Sequence, residues 1–152
     1  MNLLVKWETV NINRQNGQTL LLLAAEDGSE AVVRLLLRQK YINPDTRNKA
    51  GRTPLSLASK KGHDVVVKLL LGREDVNPDM PDNDGQTPFS WAAENGHEGV
   101  VKLLLGREDV HPDMSGNGGQ TPFSWAAKNG HEGVVKPLQA RKSANPGTAH
   151  PQ

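Results

Sequence analysis

Residues 85–105 read GQTPFSWAAENGHEGVVKLLL, and this stretch decides the fold because the chain repeats it. Residues 119–136 match residues 85–102 at every position but one, where Lys128 replaces Glu94. Looser copies precede both. Self-similarity at a fixed period of about 20–50 residues is the signature of a repeat protein. The chain is therefore read as a series of equivalent units rather than as one thick globular domain.

Two sets of glycines mark the period of the repeat, which is 34 residues. The first set is Gly17, Gly51, Gly85 and Gly119, and the second set is Gly28, Gly62, Gly96 and Gly130. We expect the members of each set to occupy the same place in successive units. A Thr-Pro pair follows three glycines of the first set, whereas Leu20 takes the place of proline in the first unit.

Local chemistry predicts two helices in each unit. Thr87 can cap a helix with its hydroxyl, and Pro88 suits the first helical position, where the missing N–H costs nothing. This helix is predicted to run from Pro88 to Asn95 and to stop at Gly96. Residues 100–105 then form an apolar stripe too wide for an isolated helix, so a second helix packs on neighbours. With the Asp-, Asn- and Pro-rich loops between units, the pattern predicts an all-α solenoid of paired antiparallel helices with projecting loops.

Composition excludes several classes of function. The chain of 152 residues has 18 Lys+Arg and 17 Asp+Glu, a net charge of +1 that argues against a strongly basic nucleic-acid binder. The absence of cysteine excludes disulfides, thiolate nucleophiles and cysteine-based metal sites. The Gly-rich residues 116–119 fit no nucleotide-binding fingerprint. We therefore expect no enzyme activity, no cofactor and no metal.

The chain also lacks the sequence of a membrane segment. Its longest leucine-rich apolar run, residues 20–25, is far shorter than the roughly 18–20 residues that span a bilayer. The N-terminus is too polar for the core of a signal peptide. We expect an intracellular protein, cytoplasmic or nuclear.

The quoted stretch resembles an ankyrin repeat, whose pattern is Gly-x-Thr-Pro-Leu-His-x-Ala-Ala-x-x-Gly-His followed by an apolar helix. Ser56, Ser90 and Ser124 stand where that pattern has its first histidine, so hydrogen bonding at this position is expected to differ. The version here is similar to repeats common in large filamentous-fungal proteins. The resemblance covers about residues 3–147 and implies a stacked scaffold that binds other proteins.

The repeat register predicts the organisation of the chain. Residues 1–16 are a partial N-terminal repeat, 17–50 repeat 1, 51–84 repeat 2, 85–118 repeat 3, 119–147 a degenerate C-terminal repeat and 148–152 a disordered tail. Pro137 falls inside the last outer helix, where proline costs about 3 kcal/mol or more. We expect that helix to be short or kinked.

The recurring residues His63, His97 and His131 have two interpretations. They could bind a metal, but packed helices lie about 8–10 Å apart. Two nitrogens bound to one zinc ion cannot be more than about 4 Å apart. We therefore predict that each ring bonds the backbone near the turn between helices.

Trp91 and Trp125 occupy one position of the repeat and leave two alternatives. They could form an apolar ladder between inner helices, which would supply area that thin units lack. Their edges could instead line the concave face and anchor a partner.

In proteins of the resembled family, partners dock on the loop tips and on the concave surface of the inner helices. Transferred to this chain, with the two tryptophans, those positions are Gln18, Glu26, Asp27, Lys49, Arg52, Lys60, Lys61, Asp84, Gln86, Trp91, Glu94, Asn95, Gln120, Trp125, Lys128 and Asn129. Unlike the scaffold positions, these residues vary in charge, so that the groove is acidic, basic, mildly acidic and mildly basic from one repeat to the next.

The predicted function is a non-catalytic, monomeric module that binds another protein and neither nucleic acid nor membrane. One alternative is a small-ligand binder or an enzyme that uses the groove, which would need convergent polar groups and a perturbed pKa. Another is the sensor segment of a larger signalling protein, since the chain opens in the middle of a repeat.

Overall fold

The computed structural model describes residues 14–116 and 118–144, and the side chains of residues 19–140 apart from residue 117. Within these ranges the chain is all-α, as predicted. The helices are α1 (Arg14–Asp27), α2 (Glu30–Leu37), α3 (Pro54–Lys61), α4 (Asp64–Leu71), α5 (Pro88–Glu94), α6 (Glu98–Leu105), α7 (Pro122–Lys128) and α8 (Glu132–Ala144). Most of the predicted partial repeat 1–16 and the whole of the predicted tail 148–152 lie outside the described residues.

The helices form two layers. Each helix packs on its partner in the same unit and on the helix two places further along the chain. Helices α1, α3, α5 and α7 make the inner layer, and α2, α4, α6 and α8 make the outer layer. The inner helices contact one another more closely than the outer helices do. Closer contact between the inner helices is the arrangement expected of a solenoid whose inner layer is its concave side.

The Thr-Pro pairs start three inner helices as predicted. Thr53, at φ −88° and ψ 168°, precedes Pro54, and its Oγ1 accepts a hydrogen bond from the Ser56 N–H at 3.1 Å. The two later repeats have the same cap. In the last repeat the Ser124 hydroxyl also accepts a bond from the Thr121 N–H, which completes a capping box. The serines that replace the family's histidine thus belong to the caps.

The first inner helix departs from the prediction that the glycines of the first set are equivalent. Helix α1 begins at Arg14, so Gly17 lies inside it, whereas Gly51, Gly85 and Gly119 have φ of 78–79°. A proline disfavours helical backbone in the residue before it. Leu20 imposes no such restriction on Thr19, and the helix continues towards the N-terminus.

The last outer helix also differs from the prediction. Helix α8 has 13 residues and contains Pro137, whereas each of the other outer helices has 8 residues. Of the two expected alternatives, a short helix is wrong, and a kink at Pro137 stays a prediction. Proline removes one N–H and crowds the carbonyl of residue i−4. That residue is Gly133, and the helix has incorporated the proline rather than ended at it.

One apolar core runs through all the units. Each outer helix contributes a valine and a leucine that are almost completely inaccessible, such as Val67 and Leu70 in α4. The inner helices contribute small residues and Phe89, which is fully buried. Burying one such aliphatic side chain contributes about 1.5–3 kcal/mol. Each repeat is therefore stable mainly through its neighbours, as expected of a solenoid.

The histidines join successive repeats at the turn between the two helices. The Nε2 of His63 donates to the carbonyl of Glu26 at 2.9 Å, and the Nε2 of His97 donates to the carbonyl of Lys60 at 2.8 Å. His131 makes the same bond one repeat later. The prediction that the rings bond backbone near the turn is confirmed. In the described part of the chain, no group of three His, Asp or Glu side chains could hold a metal ion.

Arginines join the repeats on the outer side. Arg73, just after α4, donates from Nη1 to the Leu37 carbonyl at 3.2 Å and from Nη2 to the Ile42 carbonyl at 3.2 Å. Arg107 repeats the contact, with Nη1 2.7 Å from the Leu71 carbonyl. A cation near the last carbonyls of a helix satisfies acceptors and matches the helix dipole. The two arginines are 34 residues apart in the sequence, but this spacing alone does not predict that they join the repeats.

Asp45 gives a prediction for the pH dependence of stability. Its Oδ2 accepts from the Asn77 N–H at 2.8 Å, while Oδ1 is buried and has no hydrogen-bond partner among the described residues. Burial raises the pKa of Asp45 above 3.8, outweighing the bond from Asn77. The folded state thus binds this proton more tightly than the unfolded state does, and stability falls as pH rises from 3.8 through the folded pKa.

Asp45→Asn keeps an acceptor for Asn77 and removes the charge. The variant should therefore gain stability over the wild type as pH rises through that window, and the two should differ least at the acid end. Urea unfolding between about pH 3 and pH 7 measures this. A difference that is constant with pH would show that the Asp45 carboxylate is not destabilised by burial.

Candidate functional site

The structure places most of the predicted partner-binding residues at an accessible surface of the inner layer and its loops. Asp27, Lys49, Lys61, Asp84, Asn95, Lys128 and Asn129 are exposed, and Glu26, Arg52, Lys60, Trp91, Glu94, Gln120 and Trp125 are partly buried. The side chain of Gln18 is outside the described set. Gln86 is the exception, because it is only 8% exposed.

Trp91 is held in a cluster of charged side chains. Its indole Nε1 donates to Asp82 Oδ2 at 3.0 Å. The Arg52 guanidinium carbon lies 4.6 Å from the ring centroid, and Lys60 Nζ lies 4.7 Å from it. Contacts of this kind contribute about 0.5–1 kcal/mol each at accessible sites. The partly buried ring therefore contacts cations, which a purely apolar ladder would not provide.

Asp82 is the centre of this cluster. Its Oδ2 accepts from Arg52 Nε at 3.2 Å as well as from the indole of Trp91. Its Oδ1 accepts from the backbone N–H groups of Asp84 at 2.9 Å and Gln86 at 3.0 Å. The side chain of Asp82 is completely buried. One carboxylate thus joins the loop that ends repeat 2 to the arginine at the start of that repeat and to the tryptophan in the inner helix of repeat 3.

Asp82 is not among the residues that the sequence predicts for the site. Asp and Asn are common in turns for purely local reasons, so the loop before each glycine of the first set predicts only accessible surface. A signal was present: this loop position holds Asn48, then Asp82, then Gly116. A position that changes chemically inside a nearly exact repeat differs in the contacts it can make.

Two of the predicted residues contribute to the scaffold. Asn95 Nδ2 donates to the Lys60 carbonyl at 3.4 Å, and Asn129 Nδ2 donates to the Glu94 carbonyl at 3.1 Å. These are the carbonyls that also accept from the histidine rings of the same repeats. Both asparagines remain exposed, so the bonds fix their side chains at the surface without removing them from it.

Trp125 occupies the same repeat position as Trp91 but has different surroundings. Lys128 Nζ lies 5.5 Å from its ring centroid. A cleft of about 300 Å³ opens beside the ring and is lined by Asp84, Gln86, Gly116, Gly118, Gln120 and Trp125. Its size is at the lower end of small-ligand sites. The cleft brings together four residues that the sequence predicted to bind a partner.

None of the described helices is both long enough and apolar enough to cross a bilayer. The arrangement of the helices defines the class of the protein. It is a repeat solenoid whose accessible inner layer carries charged and aromatic side chains on a scaffold of inter-repeat bonds.

Comparison with known protein families identifies the family to which the chain belongs. The family described as ankyrin repeats (3 copies) matches residues 1–79 and residues 66–149. The chain therefore belongs to the ankyrin repeat family, whose members generally mediate protein–protein interaction and are typically non-catalytic scaffolds. No curated protein matches the chain significantly.

Proposed function

We propose that this protein is a non-catalytic module that binds another protein on the concave inner layer and the loop tips. The observation that carries the proposal is the Trp91 cluster. An aromatic ring is partly accessible on the concave side and is fixed by Asp82, Arg52 and Lys60. Binding to a ring that is already immobilised loses little side-chain entropy. Tryptophan and arginine are also the residue types that most often dominate binding energies.

The charges along the inner layer support a specific rather than a general protein-binding surface. Lys49 at the end of repeat 1 and Lys61 in repeat 2 are exposed, whereas Asp84 at the end of repeat 2 is exposed and Glu94 in repeat 3 is partly buried. Glu94 is positioned by a bond from Gln86 Nε2 to its Oε1 at 3.0 Å. Alternating patches favour a partner with the complementary alternation and disfavour others.

Charge reversal on the inner layer tests the proposal. A partner is first captured from native lysate and purified, and its affinity for the wild type is then measured by calorimetry. The variant Lys60→Glu/Lys61→Glu/Glu94→Lys should bind about tenfold more weakly, since it reverses the charge of three side chains of the inner layer. The backbone carbonyls of Lys60 and Glu94 still accept the inter-repeat bonds, so the variant should fold.

The outer layer provides the matched control. Lys68 and Lys102 are exposed on α4 and α6, and Lys68→Glu/Lys102→Glu should change the affinity by less than about twofold, as expected of charges outside an interface. Equal weakening by the two variants, or no weakening by the inner one, would refute the concave-face assignment.

A further inference from the structure

The cleft beside Trp125 occupies the position that the Asp82 carboxylate fills one repeat earlier. The four groups that contact Asp82 belong to Arg52, Asp84, Gln86 and Trp91. Adding the 34-residue period to each of them gives Gln86, Gly118, Gln120 and Trp125 in the same order. All four line the cleft, and so does Gly116, which replaces Asp82 itself.

The equivalents of the donors that bond Asp82 are therefore present one period later in the sequence, where no side chain replaces the Asp82 carboxylate. Among the described residues, the N–H groups of Gly118 and Gln120 and the indole Nε1 of Trp125 make no hydrogen bond. In the preceding repeats the corresponding loop N–H groups bond a side-chain oxygen, that of Asn48 or that of Asp82. The residues that carry these three donors line the cleft, in which Gly116 has no side chain to accept from them.

One buried acceptor also lacks a partner at this cleft. Gln86 is only 8% exposed, and its Oε1 has no hydrogen-bond partner in the described part of the chain. Its Nε2 is already engaged by Glu94 at 3.0 Å. A buried polar atom left unpaired is costly, so Oε1 favours a ligand that brings a donor.

The combination of vacant donors and a vacant acceptor identifies the chemistry of the ligand. A carboxylate offers only acceptors, would leave Gln86 Oε1 unpaired and would lie near Asp84. An ammonium group offers only donors. A primary carboxamide offers both, with an oxygen for the indole and loop N–H groups and an NH₂ for Gln86 Oε1. Asn48 shows that an amide oxygen fits this loop, since its Oδ1 accepts from the N–H groups of Ala50 and Arg52 at 3.0 Å.

We infer that the cleft between the last two loops and α7 is a subsite for the carboxamide side chain of an Asn or Gln residue in the bound partner protein. The inference rests on the proposed function, because the cleft lies where the loop tips meet the inner layer. Its volume of about 300 Å³ leaves ample room for one side chain. The partner's side chain supplies the cap that Asn48 and Asp82 supply within the chain.

The test uses the full chain and a small probe, so it needs no partner. N-acetyl-asparagine N′-methylamide and the corresponding glutamine compound are titrated against ¹⁵N-labelled protein, with the aspartate compound as the matched carboxylate. The indole N–H signal of Trp125 should shift saturably with a carboxamide probe and not with the carboxylate. The Trp91 indole, already bonded to Asp82, should not shift. No saturable shift, or a preference for the carboxylate, would overturn the inference.

Filling the cleft from within provides the second arm. A Cβ on Gly116 would lie 3.4 Å from its nearest neighbour, an ordinary contact distance, and Gly116 does not have a positive φ. Gly116→Asn should abolish the probe-induced shift and weaken the captured partner about tenfold. If that variant does not fold, Gln86→Met removes the acceptor and should weaken the carboxamide probe about fivefold, the loss of one hydrogen bond.

The results separate this inference from the proposed function. A partner that responds to inner-layer charge reversal but not to Gly116→Asn, with no effect of the probes, would overturn the subsite and leave the proposed function standing. A probe response at Trp125, together with partner binding that does not depend on the inner-layer charges, would overturn the proposed function and leave the subsite standing.

Discussion

Gly96→Ala should destabilise the protein by about 3 kcal/mol, far more than an exposed glycine substitution at a turn. Gly96 has φ of 72°, and left-handed backbone costs a residue with a Cβ about 1–2 kcal/mol. The new Cβ would also lie 2.6 Å from Nδ1 of His131 in the next repeat. The ring must then move and give up its 2.8 Å bond to the Glu94 carbonyl, a further loss of about 1–2 kcal/mol.

The chain contains a matched control for this prediction. Gly130 has φ of 73° and follows the same asparagine, but nothing lies within 4 Å of its Cβ position. Gly130→Ala should therefore show only the backbone cost of about 1–2 kcal/mol. Urea unfolding followed by circular dichroism measures both variants.

A double-mutant cycle isolates the contact between repeats. In a His131→Ala background the ring is gone, so Gly96→Ala should cost about 1–2 kcal/mol less than in the wild type. Additive effects of the two substitutions would show that the histidine ring does not restrict this glycine.

Asp82→Ala should cost about 2–4 kcal/mol. The substitution leaves Arg52, the Trp91 indole and two backbone N–H groups without their acceptor. Removing one partner of a buried ion pair costs about 3–5 kcal/mol. The Arg52 side chain is 21% exposed and can recover some hydration, which reduces the expected loss.

Two further variants give this prediction its controls. Asp82→Asn keeps an oxygen for the loop N–H groups, as Asn48 does in the preceding repeat, and should lose about half as much as Asp82→Ala. Asp84→Ala changes an exposed carboxylate two residues away and should stay within about 0.5 kcal/mol of the wild type. Similar losses for Asp82→Ala and Asp84→Ala would contradict a central role for Asp82.

The sequence predicts the features of this fold that depend on neighbouring residues. The Thr-Pro starts, the glycine stops and the apolar outer helices are all short-range chemistry, and the structure contains them where the repeat puts them. The exceptions are at the ends, where the repeat is imperfect. Leu20 permits a longer α1, and Pro137 does not shorten α8. A rule learned from the central repeats does not describe the helices at either end.

The candidate site was less predictable, because its geometry depends on contacts between repeats. Nothing local distinguishes Asp82, which is completely buried, from Asp84, which is exposed. Gln86 was predicted at the surface and is instead buried against Glu94. The partner Arg52 lies 30 positions from Asp82 in sequence. Glu94 lies 8 positions from Gln86, but on the helix that follows the loop rather than on the loop itself.

Lysine footprinting of the complex tests the central claim most directly. Four lysines lie on the inner layer and its loops, at positions 49, 60, 61 and 128, whereas Lys68 and Lys102 are exposed on the outer helices. The free protein and the complex with its captured partner are acetylated under identical conditions, and each site is quantified by mass spectrometry. The concave-face account predicts that Lys60 and Lys61 become strongly protected while Lys68 and Lys102 react as in the free protein. Protection of Lys68 and Lys102 with unchanged labelling of Lys60 and Lys61 would contradict it.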